Sequence, residues 1–139
     1  MQHLALLQIS PDDSIQPDMY FTIMAMLESR AILFRETGAV HSGLLCQGVR
    51  PIHFAEDISR HHVFLKLVGY SLLHSLPSSD KTIALTCRLT ESIVTKGANW
   101  GIGLMLSRSA ATSAGIAVAQ AAGMHLVGFI RDHSMNCYC

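Results

Sequence analysis

The chain has 139 residues, half of them hydrophobic and 14% charged, and its formal net charge is zero. That balance removes the electrostatic footprint of a general nucleic-acid or membrane-surface binder, and no apolar run approaches the roughly 20 residues of a membrane span. A charged share well below the usual quarter or so implies a surface partly covered by a partner or a second copy. The length suits one hydrophobic core, so residues 1–139 read as a single domain. The opening MQHLALLQIS lacks the basic and long apolar regions of a signal peptide. Cys46, Cys87, Cys137 and Cys139 are not spaced as a disulfide framework, and both features fit a cytoplasmic protein.

In chain order, Asp12, Asp13 and Pro17 lead into a helix whose Tyr20, Ile23, Met24, Leu27 and Ala31 form an inward face, with Glu28 and Arg30 on the other. The stretch after it reads as a hairpin turning at Gln47 and Gly48, with Gly38 and Gly43 permitting close backbone approach. A helix over 60–76 presents Val63, Phe64, Leu67, Val68, Ser71 and Leu72 on one side. Two strand-helix-strand units follow: strand 83–86, helix 90–100, strand 103–106, helix 111–122 and strand 126–129. Such alternation implies βαβ crossovers, hence a three-layer α/β fold with a mixed, mostly parallel sheet and helices on both faces. After the last strand, Cys137 and Cys139 share a side if the terminus is extended, although a frayed tail is the plainer expectation.

Right-handed crossovers put the carboxyl ends of parallel strands on one edge, where open α/β sheets bind ligands. Arg88, Arg108 and Arg131 fall at those ends, so this edge reads as an anion site. Ser109 and Thr112 open a helix, where a side-chain cap is the default use. The same amino terminus, beside Arg88 and Arg108, can also hold a phosphate. Arg131 is either a solvated charge or a ligand group, and Phe129 beside it offers a ring on which a base could stack. His41, His53, His61, His62 and Cys46 are of zinc-ligand type. However, His61 and His62 diverge on a helix and neither HxE nor PCxxC occurs, so no zinc is expected. Glu56, Asp57, Arg60 and His61 read as a structural ion and hydrogen-bond cluster at the start of the third helix.

Five blocks in order, FRETGAVHSGLLC (34–46), EDISRHHVFLKLVG (56–69), TCRLTESIVTKGANWGI (86–102), SRSAATSAGIAVAQAAGMHLVGFIR (107–131) and NCY (136–138), resemble the carboxy-terminal domain of the FdhD family, the formate dehydrogenase accessory sulfurtransferases. The resemblance implies a cytidine deaminase-like fold working as a homodimer. It also implies binding of the guanine nucleotide part of the molybdopterin guanine dinucleotide cofactor (Mo-bis-MGD), with a cysteine desulfurase and formate dehydrogenase as partners. The family's cofactor-binding segment falls on Phe129, Ile130, Arg131, Asp132, His133 and Ser134. Arg88, Arg108, Ser109 and Thr112 would then bind phosphate, with His41 at or near the site.

The departures from the family pattern are specific. Ser59 stands where a glycine is usual, Leu65 where an acid is usual, and Cys87 where a small residue is usual, and the 129–134 segment lacks a frequent glycine. This sequence contains no CxxC, the motif that carries the persulfide in the family, so sulfur transfer by this chain alone is not expected and no catalytic residue is assigned. Two other readings stay open: a non-catalytic dimerisation or docking domain derived from the family, and a nucleotide deaminase or hydrolase.

Overall fold

The computed structural model describes residues 8–12 and 14–139. The MQHLALL stretch and Asp13 lie outside the described residues. Helix α1 (Pro17–Arg30) starts at the expected proline, which suits a first turn whose N–H groups have no partner anyway. Its Tyr20, Ile23, Met24 and Leu27 are buried, and Ala31 closes the stripe at full burial. A short helix, α2 (Ile32–Thr37), follows. The sequence reading did not include it, and the reason is physical: none of its residues is buried, so it carries no inward stripe to detect.

Strands β1 (His41–Gln47) and β2 (Arg50–Asp57) form the hairpin. Gly43 does permit a close approach, because a Cβ there would meet Val63 Cγ1 at 2.6 Å. Gly38 does not. Nothing lies within 4 Å of its Cβ position, and its φ of +62° ends α2 in the left-handed region instead. Helix α3 (Arg60–Leu73) opens on Ser59, whose hydroxyl accepts from the His62 N–H. Then come β3 (Lys81–Leu85), α4 (Glu91–Trp100), β4 (Leu104–Ser107), α5 (Ser113–Ala122), β5 (His125–Arg131) and β6 (Ser134–Cys137).

The six strands form one sheet in the order β2-β1-β3-β4-β5-β6. The β3–β4 and β4–β5 pairings are parallel and the other three antiparallel, so four of the six strands point one way and β1 and β6 the other. Strand alternation splits the core in two. Leu44, Cys46, Ala84, Leu104, Leu106, Val127 and Ile130 pack with α1. Leu45, Ile83, Leu85, Met105 and Leu126 face α3, α4 and α5. The expected three layers are therefore present. Among the described residues no helix is long and apolar enough to cross a membrane.

Two expectations are corrected here. The carboxyl terminus is not frayed: β6 pairs with β5, and Tyr138 N–H donates to the Leu126 carbonyl at 2.9 Å. Tyr138 and Cys139 then pack on the α3–α5 side. Leu72, placed inward by spacing, is 68% exposed, whereas Leu67 is fully buried. Helix α3 packs on β1 and β2 at one end of the sheet, which leaves its far flank without a neighbour. Leu67→Ala should therefore destabilise the fold by about 2–5 kcal/mol in urea titration, and Leu72→Ala should stay within about 0.5 kcal/mol of the parent.

Candidate functional site

The crossovers bring the ends of β3, β4 and β5 to one edge, and β1, running antiparallel to β3, contributes its first residue there. The edge is tied by short-range bonds. Ser107 Oγ donates to the Cys87 carbonyl at 2.6 Å and accepts from Ser109 N–H at 2.9 Å. The Ser109 carbonyl accepts from Phe129 N–H at 3.0 Å. Ser109 thus joins the end of β4 to β5 through its backbone.

On the α1 side of this edge lies an open groove of about 300 Å³. Phe21, Thr22, Met24, Ala25 and Glu28 of α1 form one wall, and Ile130, Arg131 and Asp132 form the other. The second wall exists because β5 is kinked. Val127 and Ile130 both face α1 although three residues apart, which breaks the two-residue period. The pairing with β6 shifts register between Gly128 and Arg131, and Phe129 sits at φ +51°, rare for an aromatic residue. Strand pairing thus covers most of the segment read as a loop, and only Asp132 and His133 form the turn.

The predicted site residues divide around this edge. Arg131 donates to the carbonyls of Arg108 and Ile130. The Arg108 guanidinium lies 3.5 Å from Glu28 Oε1 and 5.4 Å from the centroid of the Phe34 ring. Arg88 is exposed in the bend that follows β3, between the buried Cys87 and Leu89. Ile130 is buried in the core, so only its edge reaches the groove. Phe129, His133 and Ser134 are exposed, but Phe21 is the aromatic ring that lines the cavity. Thr112 caps α5, its Oγ1 accepting from Gly115 N–H at 3.1 Å.

His41 lies on the opposite side, its Nδ1 buried without a hydrogen-bond partner among the described residues. Burial, then the nearby Arg60, hold its pKa below the ordinary imidazole value. Glu28, Phe21 and Phe34 were not among the site residues expected from the sequence, Glu28 being read only as part of the outer face of the first helix. The signal for the first two was present, since Phe21, Ala25 and Glu28 recur at four- and three-residue steps beside the buried stripe.

The cluster at the start of α3 is centred on Asp57, not on the expected foursome. Its carboxylate accepts from Ser59 N–H at 3.0 Å and pairs with Lys66 at 2.9 Å and His62 at 3.4 Å. His61 turns away to Lys96 at 2.7 Å, Glu56 contributes only its carbonyl, to Lys66, and Arg60 Nε is buried without a partner among the described residues. The internal thiols are poor nucleophiles: burial pushes Cys46 up to about 12 and Cys87 up to about 11. Among the described residues no group of three or more His, Cys, Asp or Glu is disposed to hold a metal ion.

Comparison with known proteins places this geometry in context. A family described as FdhD/NarQ matches residues 1–139. The chain is 34% identical over 125 residues to the sulfur carrier protein FdhD of Halalkalibacterium halodurans, covering 90% of this chain and 46% of that protein. It is 35% identical over 136 residues to that of Listeria monocytogenes, covering 96% and 52%. It thus spans about half the length of the curated relatives it matches. The crystal structure of a formate dehydrogenase accessory protein from Desulfotalea psychrophila superposes with a TM-score of 0.84 at 27% identity, over 94% of this chain and 57% of the other.

The Asp57 cluster makes acid stability testable. The Ser59 N–H first, then Lys66, lower its pKa from 3.8 to about 2. A carboxyl with a depressed folded pKa stabilises above its unfolded pKa and loses that contribution as pH falls through the folded one. Asp57→Asn should lower Tm at neutral pH, and thermal scans should show the gap to the parent closing as pH falls from 3.8 to about 2.

Proposed function

Because the chain belongs to the FdhD/NarQ family, we propose that it is the nucleotide-binding part of a formate dehydrogenase accessory sulfur carrier, holding a guanine nucleotide end of Mo-bis-MGD at the α1-side groove. The observation that carries this reading is the groove itself, which lies at the carboxyl edge of the parallel strands and is walled by Arg131 and Asp132. Its volume of about 300 Å³ sits at the lower end of small-molecule sites, so it fits one nucleotide end and not the whole cofactor. Arg131 and Arg88 would take the phosphates, with Arg108 backing them from its place over Phe34. The groove faces open solvent beside the exposed Phe129, His133 and Ser134, where the rest of a long ligand would lie.

Bound cofactor would supply the molybdenum centre that receives sulfur. This chain's residues would bind and orient it, and a persulfide would reach it from a CxxC that the present sequence does not contain. A cysteine desulfurase, formate dehydrogenase and a second copy of the chain are the proposed partners, in the cytoplasm. A second reading has its own observation. Leu73 is 86% exposed and Ile58 79% exposed, with Leu65 and Leu72 beside them on α3, next to the free edge of β2. Such a surface suits a dimerisation or docking domain.

Calorimetric titration with GDP distinguishes the two. Saturable binding that weakens at least about tenfold in Arg131→Ala supports the nucleotide site. A folded protein that takes no GDP supports the docking domain.

A further inference from the structure

Resting on the nucleotide reading above, we infer that Glu28 is the residue that selects guanine over adenine, its carboxylate accepting hydrogen bonds from the N1–H and 2-amino groups of the base. The charged side chains lining the groove are Glu28, Arg131 and Asp132. Arg131 is held by two backbone carbonyls at the carboxyl edge, where it suits phosphate and not a base. Two carboxylates remain as readers of the base. Asp132 is exposed at the tip of a two-residue turn between β5 and β6. Glu28 projects from the last turn of a 14-residue helix, and its Oε1 lies 3.5 Å from the Arg108 guanidinium.

A carboxylate held by a rigid element and a neighbouring guanidinium is preorganised, so less ordering entropy is lost when it meets its ligand. The chemistry then sets the choice of base. The Watson–Crick edge of guanine presents two adjacent N–H donors, a match for the two oxygens of a carboxylate. Adenine presents an acceptor at N1, which faces the carboxylate lone pairs and leaves the charge unpaired. Hypoxanthine keeps N1–H and lacks the 2-amino group, so it should fall between them. Phe21, two turns before Glu28 on the same wall, supplies the apolar surface for the base. Arg108 acts on the base only through Glu28 and is a positioning residue.

The test is calorimetric titration of the full chain with GDP, IDP and ADP, for the parent and for Glu28→Gln and Asp132→Asn, with circular dichroism to establish that each variant is folded. The expected order for the parent is GDP, then IDP, then ADP, with GDP at least about tenfold tighter than ADP, and Glu28→Gln should reduce that ratio to within about threefold. A merely structural role for Glu28 would weaken all three ligands together and leave the ratio unchanged. Equal affinity of the parent for GDP and ADP, or a ratio that survives Glu28→Gln, overturns the assignment and leaves the nucleotide reading standing. A ratio that collapses in Asp132→Asn but not in Glu28→Gln also overturns it. No binding of any of the three to the folded parent overturns both.

Discussion

Burial of β3, β4 and β5 on both faces is the constraint on which the rest depends. Ala84, Leu106 and Val127 face one way and Ile83, Met105 and Leu126 the other, all at or near zero exposure. Strands apolar on both sides cannot be exposed on either, so a layer of helices must cover each face. The crossover helices α4 and α5 necessarily lie on one side because right-handed connections of successive parallel strands put them there. The opposite side has to be closed by something outside the βαβ run, and α1 does so from the start of the chain, crossing all of the inner strands.

That division explains the position of the groove. Among the described residues a single helix covers the α1 face, where three helices cover the other, and the edge beyond α1 is left open between it and the β5–β6 hairpin. The β5 irregularity gives this opening its second wall. A regular strand would carry Phe129 toward α1 and point Ile130 away; the shift instead seats Ile130 in the core and presents Arg131 to the groove. A positive φ at an aromatic residue costs on the order of 1–3 kcal/mol and persists only where its surroundings fix it. Here the Phe129 N–H is fixed by the Ser109 carbonyl, so the end of β4 sets the shape of the end of β5.

The side chains at the carboxyl edge are charged groups and aromatic rings, and the internal thiols lie away from solvent. The two fully internal thiols are raised by burial, and the cationic groups at the edge are positioned by carbonyls, by a phenyl ring and by one carboxylate.

Much of the fold was legible in the sequence because its elements are set by periodicity and by local chemistry. The Tyr20 to Ala31 stripe, the hairpin, whose turn falls one residue later than expected at Gly48 and Val49, and the alternation of apolar strands with short helices are all decided within ten or fifteen residues. The carboxyl edge and its three arginines followed from the hand of the crossovers, a rule that needs only element order. What the sequence did not disclose depends on neighbours distant along the chain. The outward turn of Leu72 reflects where α3 lies on the sheet, the pairing of β6 reflects the free edge of β5, and α2 has no buried residue to mark it. The meeting of Glu28 with Arg108 spans eighty positions, and the groove between α1 and Arg131 exists only once the sheet has been closed by a helix from the other end of the chain. Local patterns determined which segments are helix or strand and which edge is cationic, because those depend on side-chain period and chirality. Only tertiary packing decided which charges pair, which side chain lines the groove and where the strand kinks, because each of those is a contact between segments that no local pattern joins.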